Sequence, residues 1–288
     1  MTKDILVDIK ERLPTFSKGQ KRIGNYILSS YSRAAYMTAH KLGQQVNVSE
    51  STVVRFATEL GYEGYPSMQK ALQEMIRNKL TTLQRLEVSH ERIINNEDVL
   101  SMVMHADAEN IRMTLESVNK ESFDQVVRAI LSARKVYIVG IRSASAIAEF
   151  LGFYLNMALD NVVVVHINSF SEVFEQIFRI GEGDILLGIS FPRYSKRTVK
   201  TMRYAKAQGA TTVAITDSAL SPLAELADYT LQAKSDMISF VDSLVAPLSL
   251  VNALITAVSR QRDEELTGTF DKLEQIWDEY EVFEKTDA

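Results

Sequence analysis

Apolar and polar residues follow two different periods along the chain, and the change falls near residue 110. Before it, apolar residues recur three and four positions apart. Ile23, Tyr26 and Ile27 do so in a segment that opens at 16–20, as is typical of an amphipathic helix. After it, short β-branched runs are separated by helical stretches. The pattern predicts an all-α N-terminal domain followed by an α/β domain.

Two N-terminal segments separated by a tight turn have the signals of consecutive helices. Thr38 is placed to cap the first, and Ser49 to cap the second, which ends before Gly61. Hydroxyl side chains accept hydrogen bonds from a first helical turn, and glycine ends a helix readily. Asn47 lies at the turn, where asparagine tolerates a left-handed backbone conformation. This spacing predicts a helix-turn-helix.

The second helix of this motif, residues 50–60, divides into two faces. Its apolar face contains Val53, Phe56, Ala57 and Leu60. The opposite face presents short polar groups and an arginine, as a helix that reads DNA base edges does. An ordinary helical hairpin with a solvated Arg55 would show the same periodicity. The candidate DNA-binding residues are Thr38, Lys41, Ser49, Ser51, Thr52, Arg55 and Thr58.

The second half contains four runs that are apolar almost throughout, as strands covered on both faces are. These runs lie at 135–140, 161–166, 183–190 and 210–216. The helical stretches between them indicate a parallel sheet with right-handed crossovers, within three layers. A weaker strand is expected at 229–232, and helix from 244 to about 284.

The composition, 46% hydrophobic and 24% charged, is that of a globular protein. There is no cysteine, no secretory signal and no apolar run near the roughly 20 residues that cross a bilayer. We therefore expect a cytoplasmic protein with no membrane partner, disulfide or thiolate metal site. The histidines show no metal-ligand spacing, and no nucleotide-binding loop is present, so we expect no cofactor, metal or catalytic residue. The histidines are His40, His90, His105 and His166.

The net charge of −5 is unevenly distributed. Residues 1–80 contain 12 Lys and Arg against 7 Asp and Glu and carry +5, whereas the remainder carries −10. A basic module fused to an acidic body favours localised binding of a polyanion such as DNA. Chance unevenness is the alternative interpretation.

The stretch from Phe16 to about Leu72 resembles the N-terminal domain of the RpiR family of bacterial transcription regulators. Its most specific match is the string 60–65, an aromatic-rich glycine turn after the candidate recognition helix. The resemblance implies a homodimer or homotetramer that binds double-stranded operator DNA. At Gly43 the family usually has alanine, so this glycine is expected to cost about 1 kcal/mol of stability. The other matching residues are Ser17, Gln20, Ile23, Tyr26, Ile27, Leu28, Met37, Thr38, Leu42, Val48, Ser49 and 52–56.

Residues from about 110 to 260 resemble the SIS (sugar isomerase) domain, the usual partner of this helix-turn-helix. The resemblance implies a site for a phosphorylated sugar beyond the carboxyl ends of the strands. The expected division is a DNA-binding domain over 1–80, a helical linker over 81–109, a SIS domain over 110–262 and a C-terminal helical extension over 263–288.

Two strand ends carry the candidate effector site. After the first strand, Arg142 replaces the second glycine of the family pattern Gly-x-Gly-x-Ser. After the third, Ser190 and Ser195 fit the pattern Ser-x-Ser-Gly-x-Thr, but Pro192 lacks an N–H and Arg193 replaces a glycine with special dihedrals. Arginine suits phosphate or carboxylate, so both loops are predicted to converge on an anion. The candidate residues are Arg142, Ser143, Ser145, Ser190, Arg193 and Ser195.

Three functions are compatible with these features. The favoured one is a DNA-binding regulator of carbohydrate metabolism whose operator binding responds to a phosphorylated sugar or related anion. A sugar-phosphate isomerase would need a positioned base, and neither loop contains His or Glu. The third is a DNA-binding protein with a non-functional pocket, in which both arginines form internal salt bridges.

His166 is interpreted as a satisfied structural histidine, and Glu149 as a solvated or salt-bridged carboxylate.

Overall fold

The computed structural model describes residues 5–77, 81–93, 98–166 and 170–284. The chain divides into two compact units, one of residues 1–99 with 238–241, the other of residues 100–237 with 242–288. In the described residues the first unit is helical, and the second contains a parallel sheet between helices. The predicted order of an all-α domain and an α/β domain is confirmed.

The described part of the first unit contains six helices and a 3₁₀ turn at 13–15. The helices are α1 (Ile5–Arg12), α2 (Lys18–Ala34), α3 (Ala39–Val46), α4 (Glu50–Glu59), α5 (Tyr65–Arg77) and α6 (Thr82–Ile93). α1, whose Ile5 and Ile9 are buried, was not predicted from the sequence. At the start of α2, Ser17 and Gln20 exchange hydrogen bonds as a capping box, which satisfies two backbone N–H groups.

The turn between α3 and α4 forms as predicted. The backbone N–H of Lys41 donates to Oγ1 of Thr38 (3.2 Å), and that of Thr52 to Oγ of Ser49 (3.3 Å). Asn47 adopts the left-handed conformation, with φ 57° and ψ 53°. Both caps and the left-handed turn residue are thereby confirmed.

Gly43 lies where α3 comes closest to the turn. A Cβ at this position would lie 2.8 Å from the carbonyl oxygen of Val48. The N–H of Val48 donates in turn to the carbonyl oxygen of Gly43 (2.9 Å). Alanine would have to push these backbones apart, so the expectation that Gly43 costs stability relative to alanine is wrong. The missing side chain allows the turn to close.

The second unit contains seven described helices and five strands. They are α7 (Val99–Ser117), α8 (Lys120–Ser132), β1 (Val136–Gly140), α9 (Ser143–Ala158), β2 (Val162–Val164), α10 (Phe170–Ile177), β3 (Ile185–Ile189), α11 (Lys196–Ala207), β4 (Thr211–Thr216), β5 (Tyr229–Gln232), α12 (Val245–Arg260) and α13 (Asp263–Glu279). All strand pairs are parallel, in the order β2-β1-β3-β4-β5. No described helix is both long enough and apolar enough to cross a bilayer.

Side chains of the strands alternate between the two faces of the sheet. Ile138 and Leu187 pack into a cluster with α8, α9 and α12. Tyr137 and Leu186 pack on the other face with α10 and α11. Both faces of the sheet are therefore covered, and the predicted three-layer arrangement is confirmed.

The structure departs from the expected boundaries in three places. Helix continues through α8 to Ser132, beyond the change of period near residue 110. The second strand, expected over 161–166, is reduced to β2. The C-terminal helical region is divided at 261–262 into α12 and α13. The weaker strand at 229–232 is confirmed as β5.

A buried carboxylate fixes the start of β3. The side chain of Asp184 is 1% exposed, and Arg134 donates to both of its oxygens at 2.9 and 2.7 Å. The N–H of Gly181 also donates to it (3.0 Å). Burial raises the pKa of Asp184, but these hydrogen bonds and the positive charge of Arg134 lower the pKa more, so the net shift is downward.

We expect Arg134→Met to lower the free energy of unfolding at pH 7, because it leaves the buried carboxylate of Asp184 without its two charged hydrogen bonds. Since the folded pKa of Asp184 is depressed, this contribution is present above the unfolded pKa of about 3.9 and is lost as pH falls through the folded value. Urea denaturation at pH 7 and pH 3 measures it. An equal difference at both pH values, or an equal loss in the exposed control Arg128→Met, would contradict the assignment.

Candidate nucleic-acid interface and effector site

α4 has the two faces that a recognition helix requires. Its exposed face has the spacing i, i+3, i+4, i+7 and consists of Ser51, Val54, Arg55 and Thr58. Val53, Phe56 and Ala57, on the other face, are fully buried. Three of these exposed residues were candidates from the sequence. Val54 was not, because a valine in an amphipathic pattern is expected to be buried.

Hydroxyl groups cluster at the beginning of α4. Oγ of Ser49 lies 2.9 Å from Oγ of Ser51 and 2.8 Å from Oγ1 of the half-buried Thr52. One turn later, Nε of Arg55 donates to the carbonyl oxygen of Ser51 (3.3 Å). The terminal nitrogens of Arg55 have no hydrogen-bond partner within the described ranges. They are therefore available to an acceptor outside the protein.

Side chains from α1 and α2 hold α4 in place. Nη1 of Arg12 donates to the carbonyl oxygen of Glu59 (2.9 Å) at the end of α4. Nη1 of Arg22 donates to the carbonyl oxygen of Asn47 (3.2 Å) in the turn. Gln20 donates to the carboxylate of Glu59. The helix is thus fixed at both ends, as a preorganised binding surface requires.

The remaining candidates lie at the start of α3. Thr38 and Lys41 are exposed there. Nδ1 of His40 lies 3.5 Å from a carboxylate oxygen of Glu50, which connects the first turns of α3 and α4. The seven predicted DNA-binding residues therefore all reach the surface of one motif, and their contact with DNA stays a prediction.

A crevice is expected in the second unit where the strand order reverses. From β1 the chain passes through α9 to β2 on one side, and from β3 through α11 to β4 on the other. Gly140 pairs with Ile189, so the loops after β1 and β3 leave the sheet side by side. Ligands of open α/β sheets bind at such a point.

The loop after β1 is tightly packed and strained. A Cβ on Gly140 would collide with the carbonyl oxygen of Ala144, so glycine allows α9 to begin this close to the strand. Arg142 precedes α9 with φ 62° and ψ −130°. It is exposed, and its guanidinium has no ion-pair partner among the described residues. Ser143 is exposed too, while Oγ of Ser145 donates to the carbonyl oxygen of Arg142 (2.7 Å).

The loop after β3 joins two of the predicted serines. Oγ of the buried Ser190 accepts from the N–H of Ser195 (3.1 Å). Ser195 caps α11 by accepting from the N–H of Thr198 (3.4 Å). Arg193 has φ 63°, so it adopts a left-handed backbone although it is not glycine. Such a conformation costs about 1–3 kcal/mol per residue, and it recurs at functional sites. Both arginines have thus kept the positive φ that glycine favours.

Positive charge is concentrated at the beginning of α11. Arg193, Lys196, Arg197 and Lys200 are all exposed within eight residues. Cations are unfavourable at a helix N-terminus, whereas anions bind there. Thr198, which is 0% exposed, has a hydroxyl without a hydrogen-bond partner among the described residues. The cationic residues of the run 196–200 could have been recognised in the sequence, but they were not among the predicted effector residues.

The loop after β3 is joined to the end of β4. The hydroxyl of Tyr194 donates to Oδ1 of Asp217 (2.8 Å), directly after β4. At β2, Nδ1 of His166 lies 3.1 Å from a carboxylate oxygen of Glu149, and the backbone N–H and carbonyl of His166 bond the side chain of Gln176. The interpretation of Glu149 as a solvated or salt-bridged carboxylate is confirmed, whereas that of His166 as a structural histidine stays an interpretation. Within the ranges the structure describes, no three side chains form a metal-binding group.

Family models match both halves of the chain. The helix-turn-helix domain of the rpiR family matches residues 3–79, and the SIS domain matches residues 129–257. The molecule is therefore a helix-turn-helix protein with a SIS domain. Its N-terminal domain matches the helix-turn-helix domain of the rpiR family, as the resemblance of its sequence predicted.

Curated relatives match most of the chain. An uncharacterized HTH-type transcriptional regulator of Haemophilus influenzae is 27% identical over 238 residues, which cover 79% of each chain. A second such regulator, from Caldanaerobacter subterraneus, is 22% identical over 280 residues, 95% of this chain and 96% of the relative.

Two solved structures have similar folds. The sugar isomerase domain of an RpiR transcription factor from Sphaerobacter thermophilus has a TM-score of 0.60 and 28% identity, covering 62% of this chain and 99% of that one. The Vibrio vulnificus NanR protein, complexed with ManNAc-6P, has a TM-score of 0.60 and 19% identity, covering 97% of this chain and 99% of that one. At 19% identity, the match to the NanR protein shows a similar fold only.

Proposed function

We propose that this chain is a transcription regulator that binds operator DNA through α3 and α4 and senses a phosphorylated sugar or related anion through its SIS domain. The observation that carries the proposal is the exposed face of α4, held at both ends by Arg12 and Arg22 above a buried apolar face. Such a protein acts where the bacterial chromosome is, in the cytoplasm.

On the DNA side, the residues divide by the chemistry that they offer. Arg55 has a planar fork suited to the acceptors of guanine in the major groove. The hydroxyls of Ser49, Ser51 and Thr52 lie at a helix N-terminus, which favours phosphate. Further contacts with the DNA backbone are assigned to Thr38, Lys41 and Thr58, the last of which lies at the far end of the face. The net charge of +5 over 1–80 attracts the phosphates of the DNA.

On the effector side, we place the phosphate at the N-terminus of α11. Ser190, Ser195 and Arg193 surround that point, and the cations of the first turns are stabilised when an anion is bound. Arg142, Ser143 and Ser145 approach from the neighbouring loop. The complex of the NanR relative with a sugar phosphate supports this choice of ligand class.

One observation favours an isomerase as the second candidate. The paired His166 and Glu149 lie at the same edge of the sheet as both loops, and such a pair could transfer a proton. Both side chains are about half exposed, however, and no such group lies in the loops themselves. We therefore propose binding of the sugar phosphate without turnover.

A homodimer is the smallest assembly that suits a symmetric operator, and α7 offers a surface for it. Its apolar residues follow the spacing four, three, four of helices that pack against each other, and consist of Met104, Ala108, Ile111 and Leu115. A groove of about 280 Å³ lies beside them, between α7, the start of α8 and α12. α12 has no charged residue in its first 15 positions. We propose that a second copy covers this surface.

Leu115→Glu tests the dimer. Leu115 is 69% exposed, so the change leaves the protomer folded, but it places a charge in the proposed contact. We expect the dissociation constant of the dimer, measured by sedimentation, to rise about tenfold. This rise corresponds to a loss of about 1.4 kcal/mol in the free energy of dimerisation. Leu220→Glu is the matched control, at a leucine 71% exposed in the loop after β4. Equal dimerisation of both variants and the wild type would place the interface elsewhere.

A binding experiment tests the proposed function as a whole. The full chain is titrated into labelled DNA from upstream of its own gene and its neighbours, with and without a panel of sugar phosphates. We expect one segment to bind with sequence preference and one phosphorylated compound to change its affinity. Binding that ignores the whole panel would indicate a non-functional pocket, conversion of a compound would indicate an isomerase, and failure to bind any DNA would overturn the proposal.

A further inference from the structure

We propose that Val54 recognises the C5 methyl group of a thymine in the operator. This inference rests on the proposed DNA binding and names the base that one residue reads. Val54 is 39% exposed on α4, in the same face as Ser51, Arg55 and Thr58. It is the only apolar side chain of that four-residue face.

Val54 lies outside the fully buried apolar side of α4. The apolar side of α4 is completed by Val53, Phe56 and Ala57, which are all fully buried. Scattered apolar residues are common on protein surfaces, but this one lies beside Arg55, whose terminal nitrogens are available. Its position at i+3 from Ser51 and i−4 from Thr58 puts it in the middle of the face.

The chemistry of the major groove offers one apolar partner. Every base pair presents hydrogen-bond donors and acceptors there, but a methyl group is found only on thymine. A β-branched side chain is rigid at χ1, so its two methyl groups are already positioned when the helix enters the groove. Burying one methyl group away from water, in a contact between Val54 and thymine, changes the affinity for DNA about fourfold.

The test uses deoxyuridine, which differs from thymidine by this methyl group alone. A bound sequence is first selected from random DNA with the full-length protein. Each thymine is then replaced singly by deoxyuridine, and affinities are measured by fluorescence anisotropy for the wild type and Val54→Ala. Val7→Ala is the matched control, because Val7 is 44% exposed on α1, outside the motif.

We expect one position in each half-site where deoxyuridine weakens wild-type binding about fourfold. Val54→Ala should bind the thymine sequence about fourfold more weakly and lose the penalty at that position, whereas Val7→Ala should keep it. Wild-type binding that is indifferent to every deoxyuridine, or an unchanged penalty in Val54→Ala, would overturn the assignment while DNA binding itself stands. If no sequence is selected from random DNA, the proposed function fails instead.

Discussion

Arg55→Ala is expected to weaken binding to the operator by roughly 5- to 150-fold, which corresponds to about 1–3 kcal/mol. The side chain is exposed and its terminal nitrogens have no protein partner among the described residues, so its removal leaves the domain intact. What is lost is a bidentate contact with a base and one phosphate-attracting charge. Anisotropy titrations at a fixed salt concentration measure the change, and thermal denaturation checks that the fold is retained.

Two further variants separate shape from charge. Arg55→Lys keeps the charge without the planar fork, so we expect it to retain non-specific binding and lose discrimination between bases. Arg33→Ala removes an exposed arginine from the last turn of α2, outside the motif, and should weaken binding only through the general charge. Wild-type affinity and specificity in Arg55→Ala would show that α4 is not the recognition helix.

Arg193→Gly is expected to weaken binding of the effector by roughly 10- to 150-fold, as the loss of a charged hydrogen bond of about 1.5–3 kcal/mol implies. Glycine relieves the strain of Arg193 at φ 63°, so we expect the free energy of unfolding to change less than the free energy of effector binding. Affinity and stability are thus predicted to change independently. Isothermal titration with the compound identified by the DNA experiment, together with urea denaturation, measures both.

The controls distinguish this site from general attraction of anions. Arg193→Lys retains a charge but not the fork, and should fall between the wild type and Arg193→Gly. Arg203→Ala removes an exposed charge farther along α11, beyond the first turns, and should have little effect. If Arg193→Gly binds the effector as well as the wild type does, the phosphate lies elsewhere.

Local signals in the sequence were sufficient for most elements of the fold. The caps at Ser17, Thr38 and Ser49 act through neighbouring residues, so the helix starts that they define could be predicted. The role of Gly43 could not, because it depends on how closely the Val48 carbonyl approaches in three dimensions. β2 is shorter than its apolar run, since burial and strand pairing do not end at the same residue.

The candidate sites were predictable as residues but not as geometry. The polar face of α4 followed from helical spacing, while the exposure of Val54 depends on which side of the helix the domain covers. The positive φ of Arg142 and Arg193 opposes the preference of arginine, so only the closure of each loop reveals it. The loops that contain them leave the sheet side by side because Gly140 pairs with Ile189, which the sequence does not reveal.

The two outermost strands of the sheet are its shortest, with three residues in β2 and four in β5. An edge strand exposes unpaired N–H and C=O groups, and a long one can template fibrillar aggregation of identical chains. Here a foreign strand would gain few hydrogen bonds at either edge. If copies of this chain gather on neighbouring sites of the proposed operator, the short edges protect them from pairing through their sheets, and contacts between copies are left to helical surfaces.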